Sequence, residues 1–335
     1  MRGFGHMRVV APPLSKSAEF VAGGGVNVSC TVYAGRAWGV ATSHVGRHKQ
    51  VEAAGARRAV DAAISTASSL DMTVNDAVVL SDSNRLVVRL TPCDIVARVT
   101  PTTHFASAER EVELVKRLTQ TDSPVAALEA RVEPRVFVRD GFKITMWTYF
   151  EPVQSRVLPP ADYARAVERL HAGLRQLDVT TPHFMDRIAA TQRDVASRDV
   201  TPELADADRA LLANTLRDLS QSIVNRRAPE QLLHGEPHPW NVLNTKNGPL
   251  FIDFENTAEG PVEYDIAWVP NEVGERYPNA DEDLVGVCRG VVLAIIATHR
   301  WSRGDQHPSG RQSGYAFLDA LRDGPPWPAL DDVAW

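Results

Sequence analysis

Cysteine is scarce: Cys30, Cys93 and Cys288 are the only three in 335 residues, odd in number and widely separated. That excludes a disulfide framework and a four-cysteine metal site, and it fits a reducing, cytoplasmic setting. Long apolar runs are missing too. No stretch approaches the roughly 18 residues that a membrane helix needs, and Phe20 to Val28 is too short and too rich in glycine for a signal peptide. No membrane partner is expected. Positive charge is not in excess, since the formal net charge is −6, which argues against a nucleic-acid partner and is compatible with a cationic substrate. No internal repeat is visible, and the residues leave the oligomeric state open.

What the chain does have is an ordinary apolar content, 44% hydrophobic with 23% charged, over a length sufficient for two lobes. Residues 1–50, with Pro12-Pro13 and Gly23-Gly24-Gly25, hold neither a helical nor a strand period and read as a poorly ordered N-terminal extension. An alanine-rich helix is expected over Val51 to Leu70. Strands are expected over Ala77–Leu80, Leu86–Leu90, Asp94–Val99, Val132–Val138 and Lys143–Thr148, separated by turn residues such as Ser81-Asp82-Ser83-Asn84 and Arg139-Asp140-Gly141. One helical run, Ala106 to Leu118, interrupts them. After Pro152 to Pro160 the pattern turns helical, with Asp162 as a cap and Tyr163, Val167, Leu170, Leu174 and Leu177 on one face. Further helices are expected over 182–193, 206–225, 281–298 and 315–321. The chain thus divides into a β-rich lobe, 51–151, and an α-rich lobe, 152–335, an α+β arrangement.

The most informative stretch lies in the second lobe: Leu232-Leu-His234-Gly-Glu236-Pro-His238-Pro-Trp-Asn241-Val-Leu, followed by Leu250-Phe-Ile-Asp253-Phe-Glu255. Asn247-Gly248 between the two apolar runs signals a tight hairpin, with Val242–Asn244 and Leu250–Phe254 as its strands. Such a hairpin brings Asn241 and Asp253 to one open end, with Glu236 in the loop leading in. Two carboxylates and a carboxamide on one rim suit a hard cation and a substrate hydroxyl. A zinc reading of the same histidines fails, because Gly235, Pro237 and Pro239 forbid the helix that the metalloprotease pattern needs and no Pro-Cys-x-x-Cys partner exists.

His234-Gly235-Glu236-Pro237-His238-Pro239-Trp240-Asn241, Ile252-Asp253-Phe254-Glu255, Gly260-Pro261 and Asp265-Ile266-Ala267 together resemble the catalytic signature of the aminoglycoside phosphotransferase family. The likeness runs from Ala77 to Leu321, with Glu236 standing where the family has Asp and Trp240 where a small residue is usual. It implies a two-lobed protein-kinase-like fold with an antiparallel β N-lobe carrying one helix, and an α-rich C-lobe carrying a catalytic hairpin. It further implies transfer of the γ-phosphate of ATP to a small-molecule hydroxyl, assisted by Mg2+, with Glu236 as the catalytic base and Asn241 and Asp253 as metal ligands. GTP in place of ATP is left open.

In the N-lobe the resemblance assigns the nucleotide to Ser83 of the first turn, to Arg98 where Lys is common, to Glu111 as the partner of Arg98, and to the hinge at Trp147 and Tyr149. Glu109 competes with Glu111 for that pairing, Arg98 could instead lie along a sheet edge, and Trp147, Trp240 and Trp268 could wall the acceptor site, although Trp147 and Trp268 suit an aromatic core better. The turn itself lacks glycine, so phosphate contacts there fall to side chains. His234, His238, Glu255 and Asp265 are supporting residues. His171 reads as a structural histidine, and Pro237 as a stiffener of the loop behind Glu236. Departures at Glu236 and Arg98 also admit a nucleotide-binding protein with little or no transfer activity.

Overall fold

Alternation of β-branched and aliphatic residues along 86–101 and 142–148 gives the strands two apolar faces, and each face needs its own cover. The computed structural model describes residues 17–21, 27–31, 49–82, 85–103, 107–153, 158–305, 307 and 309–333. It builds a seven-stranded sheet from β1 (Ser17–Val21), β2 (Asn27–Thr31), β3 (Val74–Asp82), β4 (Leu86–Pro92), β5 (Ile95–Pro101), β6 (Phe137–Arg139) and β7 (Phe142–Thr148), in the order β1-β2-β3-β4-β5-β7-β6. Neighbours run antiparallel except β2 and β3, which are parallel.

Helix α1 (Lys49–Ser68) covers one face, burying Ala59, Val60, Ala63 and Ala67 against Val88, Leu90, Ala97, Val99, Ile144 and Met146. Helix α2 (Ser107–Leu118) lies on the other, where Val87 and Val96 meet Leu114, Val115 and Leu118. Arg98 and Thr145, paired across β5 and β7, share this second face.

Two expectations change here, and one falls outside the described residues. Within 1–50, β1 and β2 extend the sheet; they are held by backbone pairing, which a search for side-chain periodicity does not detect. Strand β6 is three residues rather than Val132–Val138, because Pro134 has no N–H to give a ladder. Residues 83 and 84, including the turn residue Ser83, lie outside the described residues.

The second lobe comprises α3 (Pro160–Leu174), α4 (Phe184–Ala196), α5 (Asp206–Arg226), β8 (Glu230–Leu233), β9 (Val242–Thr245), β10 (Gly248–Phe251), β11 (Ala258–Pro261), α6 (Val262–Ile266), α7 (Asn271–Gly274), α8 (Glu282–Trp301) and α9 (Gly310–Asp323). Asp162 does not cap α3: Pro160 opens the helix, where a missing N–H costs nothing, and Asp162 sits in the first turn. A reciprocal cap starts α4 instead, the His183 ring accepting from Met185 N (3.3 Å) while Asp186 accepts from His183 N (3.0 Å).

Helix α8 is long and apolar enough to cross a membrane by length and composition, contrary to the reading of the sequence. In the fold, 72% of its most apolar window is buried, against α4, α5 and α9. The same apolar residues serve as the axis of a helical core.

One further apolar cluster joins the lobes. Val96, Leu114 and Trp147 from the sheet side meet Tyr163, Leu170, Phe251 and Phe254. The segment from His234 to Glu255 is built directly on this shared core, through Val242, Phe251 and Phe254.

Candidate functional site

The segment enters from β8, paired with β11 so that Leu233 faces Ala258. At Gly235 the chain turns with φ +92°, and a Cβ there would stand 2.0 Å from the Asn256 carbonyl oxygen, so only glycine fits. Asp265, fully buried on α6, receives the loop: its two carboxylate oxygens accept from the backbone N–H of His234 (2.9 Å) and Gly235 (2.8 Å). His171 Nε2 contacts the same Asp265 carboxylate at 2.9 Å, and His171 Nδ1 meets the Tyr277 hydroxyl at 2.7 Å. Both side chains act as structural braces, which accounts for a buried carboxylate in an apolar core.

His234 Nε2 lies 3.0 Å from the Ile252 carbonyl oxygen and donates to it, while Nδ1 accepts from Glu236 N at 3.3 Å. One nitrogen donates and the other accepts, so the ring is neutral, and burial holds its pKa below the usual histidine value. Burial does the same at His238. The Tyr163 hydroxyl donates to the Pro237 carbonyl, tying the loop to α3.

A 3-10 turn over Pro239–Asn241 then delivers Asn241, whose Nδ2 donates to the Glu236 carbonyl oxygen at 3.0 Å. The amide orientation is thereby fixed. Strands β9 and β10 pair Val242 with Phe251, and Ile252 N donates to Asn241 O at 3.0 Å, extending the ladder one rung. Asp253 follows at the open end of the hairpin. The hairpin differs in detail from the expected one: Lys246-Asn247 forms the turn, Gly248 (φ +107°) begins β10, and the strand stops at Phe251. It stops because Asp253 takes a left-handed conformation, φ 70° and ψ 66°, which starts a 3-10 turn through Phe254–Asn256.

Around Asp253 the N-lobe contributes two cations. Arg98 Nη1 bonds Glu111 at 2.6 Å, and its Nη2 lies 3.3 Å from Asp253. Glu111, not Glu109, is the partner; Glu109 is half exposed and pairs with Lys143. Glu111 also accepts from Phe254 N at 3.0 Å, so it joins α2, β5 and the end of the β9–β10 hairpin. Arg85, immediately before β4, bonds Asp253 at 3.1 Å, Glu111 at 3.4 Å and Glu255. Burial raises the Asp253 carboxyl, but Arg85 and Arg98 outweigh it and the net shift is downward. Burial and the neighbouring Asp253 push Glu255 up to about 7.

Glu236 is gripped differently. Arg187, on α4, bonds one carboxylate oxygen, and Asn256 Nδ2 bonds the other at 2.9 Å. Burial again raises the carboxyl, and Arg187 with His238 brings it below the usual glutamate value.

The structure therefore brings Arg98, Glu111, Glu236, Asn241, Asp253 and Glu255 together, with His234, His238 and Asp265 supporting the loop. Of the two expected hinge residues, Trp147 lies under a site residue and Tyr149 under Arg89. Trp147 is buried in the shared core with its indole N–H on Thr145 (2.8 Å) and its ring 5.2 Å beneath the Arg98 guanidinium. Tyr149 lies under Arg89 (3.7 Å) and bonds Glu151.

Arg85, Arg187 and Asn256 were not anticipated. A cation just past the Ser81–Asn84 turn was a usable signal for Arg85. Nothing local marks Arg187, an ordinary polar position in a helix far from Glu236 in the chain.

The sequence profile of the phosphotransferase enzyme family matches residues 75–287, from β3 into α8. No curated protein matches significantly. Among solved structures, the amicoumacin kinase hAmiN in complex with AMP-PNP, Ca2+ and Ami is 14% identical, covers 84% of this chain and 97% of its own, and superposes with a TM-score of 0.63. The GDP and kanamycin complex of APH(2")-IIia is 17% identical over 78% of this chain and 97% of that one, TM-score 0.58. Choline kinase LicA from Streptococcus pneumoniae is 13% identical over 78% and 96%, TM-score 0.57. At such identities the likeness is one of fold, and it is the two-lobed phosphotransferase fold.

Proposed function

This chain belongs to the phosphotransferase enzyme family, and from that membership we propose that it moves the γ-phosphate of ATP, with Mg2+, to a hydroxyl of a small molecule. The observation that carries the proposal is the convergence at the hairpin mouth: Asn241 bonded to the Glu236 backbone and laddered to Ile252, with Asp253 next in the chain. The neighbours support a small-molecule acceptor, since they include an amicoumacin kinase, a kanamycin complex and a choline kinase.

The donor set fits magnesium. Among the described residues no cluster of three or more His, Cys, Asp or Glu side chains is arranged to hold a metal. Magnesium seldom uses one, taking one or two protein oxygens and completing its shell with phosphate and water. Asp253 also draws positive charge already, with both Arg85 and Arg98 against it. Asn241 and Asp253 would hold the ion, which would neutralise charge on the phosphate oxygens. In this reading lobe 51–151 carries the nucleotide, 152–335 carries the catalytic hairpin and the acceptor, and 1–50 precedes both.

Arg98 and Arg85 bind phosphate oxygens, and Glu111 keeps Arg98 aimed. Glu236 orients the acceptor hydroxyl and takes its proton. The hydroxyl oxygen forms a bond to the γ-phosphorus while the bond to the β–γ bridging oxygen breaks, and ADP leaves with that electron pair. Such transfers rest on positioning and charge more than on basicity, so a carboxylate held below its ordinary pKa remains serviceable.

Purified protein with Mg·ATP and a panel of hydroxylated compounds, run beside Asp253→Ala, tests this. Transfer lost in the variant supports the reading. Nucleotide binding with no turnover on any acceptor selects a binding protein without transfer activity instead.

A further inference from the structure

Glu236 carries its carboxylate one methylene further from the backbone than aspartate does, with one more rotatable bond, so its oxygens can wander by about 1 Å unless something holds them. Both oxygens are held. Arg187 reaches one from the second turn of α4, and Asn256, three residues beyond Asp253, bonds the other at 2.9 Å. The backbone on either side is fixed as well, Glu236 N on His234 and Glu236 O on Asn241.

Arg187 is itself constrained. Its guanidinium carbon lies 5.1 Å from the centre of the buried Trp268 ring, and its backbone carbonyl accepts from Thr191. The start of α4, which sets the height of Arg187 over the loop, is locked by the His183–Asp186 cap. A planar fork stacked on an aromatic and bonded to a carboxylate gives direction as well as charge, which a lysine would not.

We propose that Arg187 is a positioning residue which, with Asn256, clamps the longer Glu236 side chain into the single orientation that the acceptor hydroxyl requires, so that Glu236 and Arg187 together do what a shorter acid does alone. The proposal rests on the phosphoryl-transfer reading for its kinetic consequences, but the clamp itself is a statement about geometry. It makes the glutamate a working base whose placement is supplied from another helix.

Crystal structures and kinetics of Arg187→Gln, Arg187→Lys, Glu236→Asp and the double variant Glu236→Asp/Arg187→Gln test it, with slow hydrolysis of Mg·ATP as an assay that needs no acceptor. In Arg187→Gln the Glu236 carboxylate leaves Asn256 and kcat falls about a hundredfold, the cost of a misplacement near 1 Å. KM for ATP stays within about twofold, a split that general loss of structure would not give. Arg187→Lys restores part of kcat. In the Glu236→Asp background the same Arg187→Gln change costs less than about threefold, because the shorter acid no longer depends on the clamp.

A Glu236 carboxylate still on Asn256 in the Arg187→Gln crystal would overturn the proposal. So would an effect on KM alone, or an undiminished cost in the Glu236→Asp background. If the unaltered protein turns over no Mg·ATP with water or any acceptor, the phosphoryl-transfer reading falls by itself, and the crystals still decide whether Arg187 holds Glu236.

Discussion

Asp253 and Glu236 are both carboxylates held by arginine, but the arginines come from opposite lobes. Arg85 and Arg98 reach Asp253 from just before β4 and from β5, across the junction of the two lobes. Arg187 reaches Glu236 from α4, within the helical lobe. A change in the angle between the lobes would alter the charge around Asp253, whereas the Arg187–Glu236 pair lies within one lobe. On the proposed function, nucleotide binding and acceptor activation would then draw on different arginines.

The sharpest test of that separation compares Asp253→Ala with Glu236→Gln. Asp253→Ala is expected to lower turnover by about a thousandfold or more and to abolish the dependence of nucleotide affinity on Mg2+, measured by titration with and without a chelator. Glu236→Gln is expected to lower turnover by about a hundred- to ten-thousandfold while nucleotide affinity stays within about twofold. If Glu236→Gln weakens nucleotide binding as much as Asp253→Ala does, the two ends act as one.

Arg85→Ala comes next. If Arg85 holds phosphate as proposed, its loss is expected to weaken ATP binding by about tenfold, read by calorimetric titration, with a smaller effect on kcat. Unchanged affinity would restrict Arg85 to bridging the lobes. The smallest effect belongs to Glu109→Gln, which breaks only the Lys143 pair on an exposed face and is expected to move stability by less than about 0.5 kcal/mol in a denaturant titration. Glu111→Gln, which disturbs Arg98, Arg85 and Phe254 together, is expected to cost several times more, and equal effects would reverse the choice between the two acids.

Much of this molecule was legible because its signals are local. The hairpin was readable from Asn247-Gly248, and the positions of Asn241 and Asp253 followed from it. The β-rich then α-rich order was readable from a change of period near Pro152. Boundaries slipped where backbone geometry overrides side-chain pattern, as at Asp253, whose left-handed conformation ends the strand that Phe254 looked set to continue. Trp147 and Tyr149 were assigned from place in the chain, and their surroundings were not readable: the first is sealed under Arg98, the second lies beneath Arg89.

The order of residues alone determined the His234–Asn241 loop and the hairpin after it, because a glycine that must turn, a buried acid that collects two backbone amides and a two-residue turn act over short stretches of chain. Only the tertiary structure decided what surrounds the two carboxylates. Arg85, Arg98 and Arg187 reach them from three separate elements, and a long flexible cation carries no mark in the sequence of which acid it will meet. That pairing is set by how the β-sheet packs on the shared core and α4 on the helical core, which brings each arginine to a partly buried carboxylate that a cation stabilises.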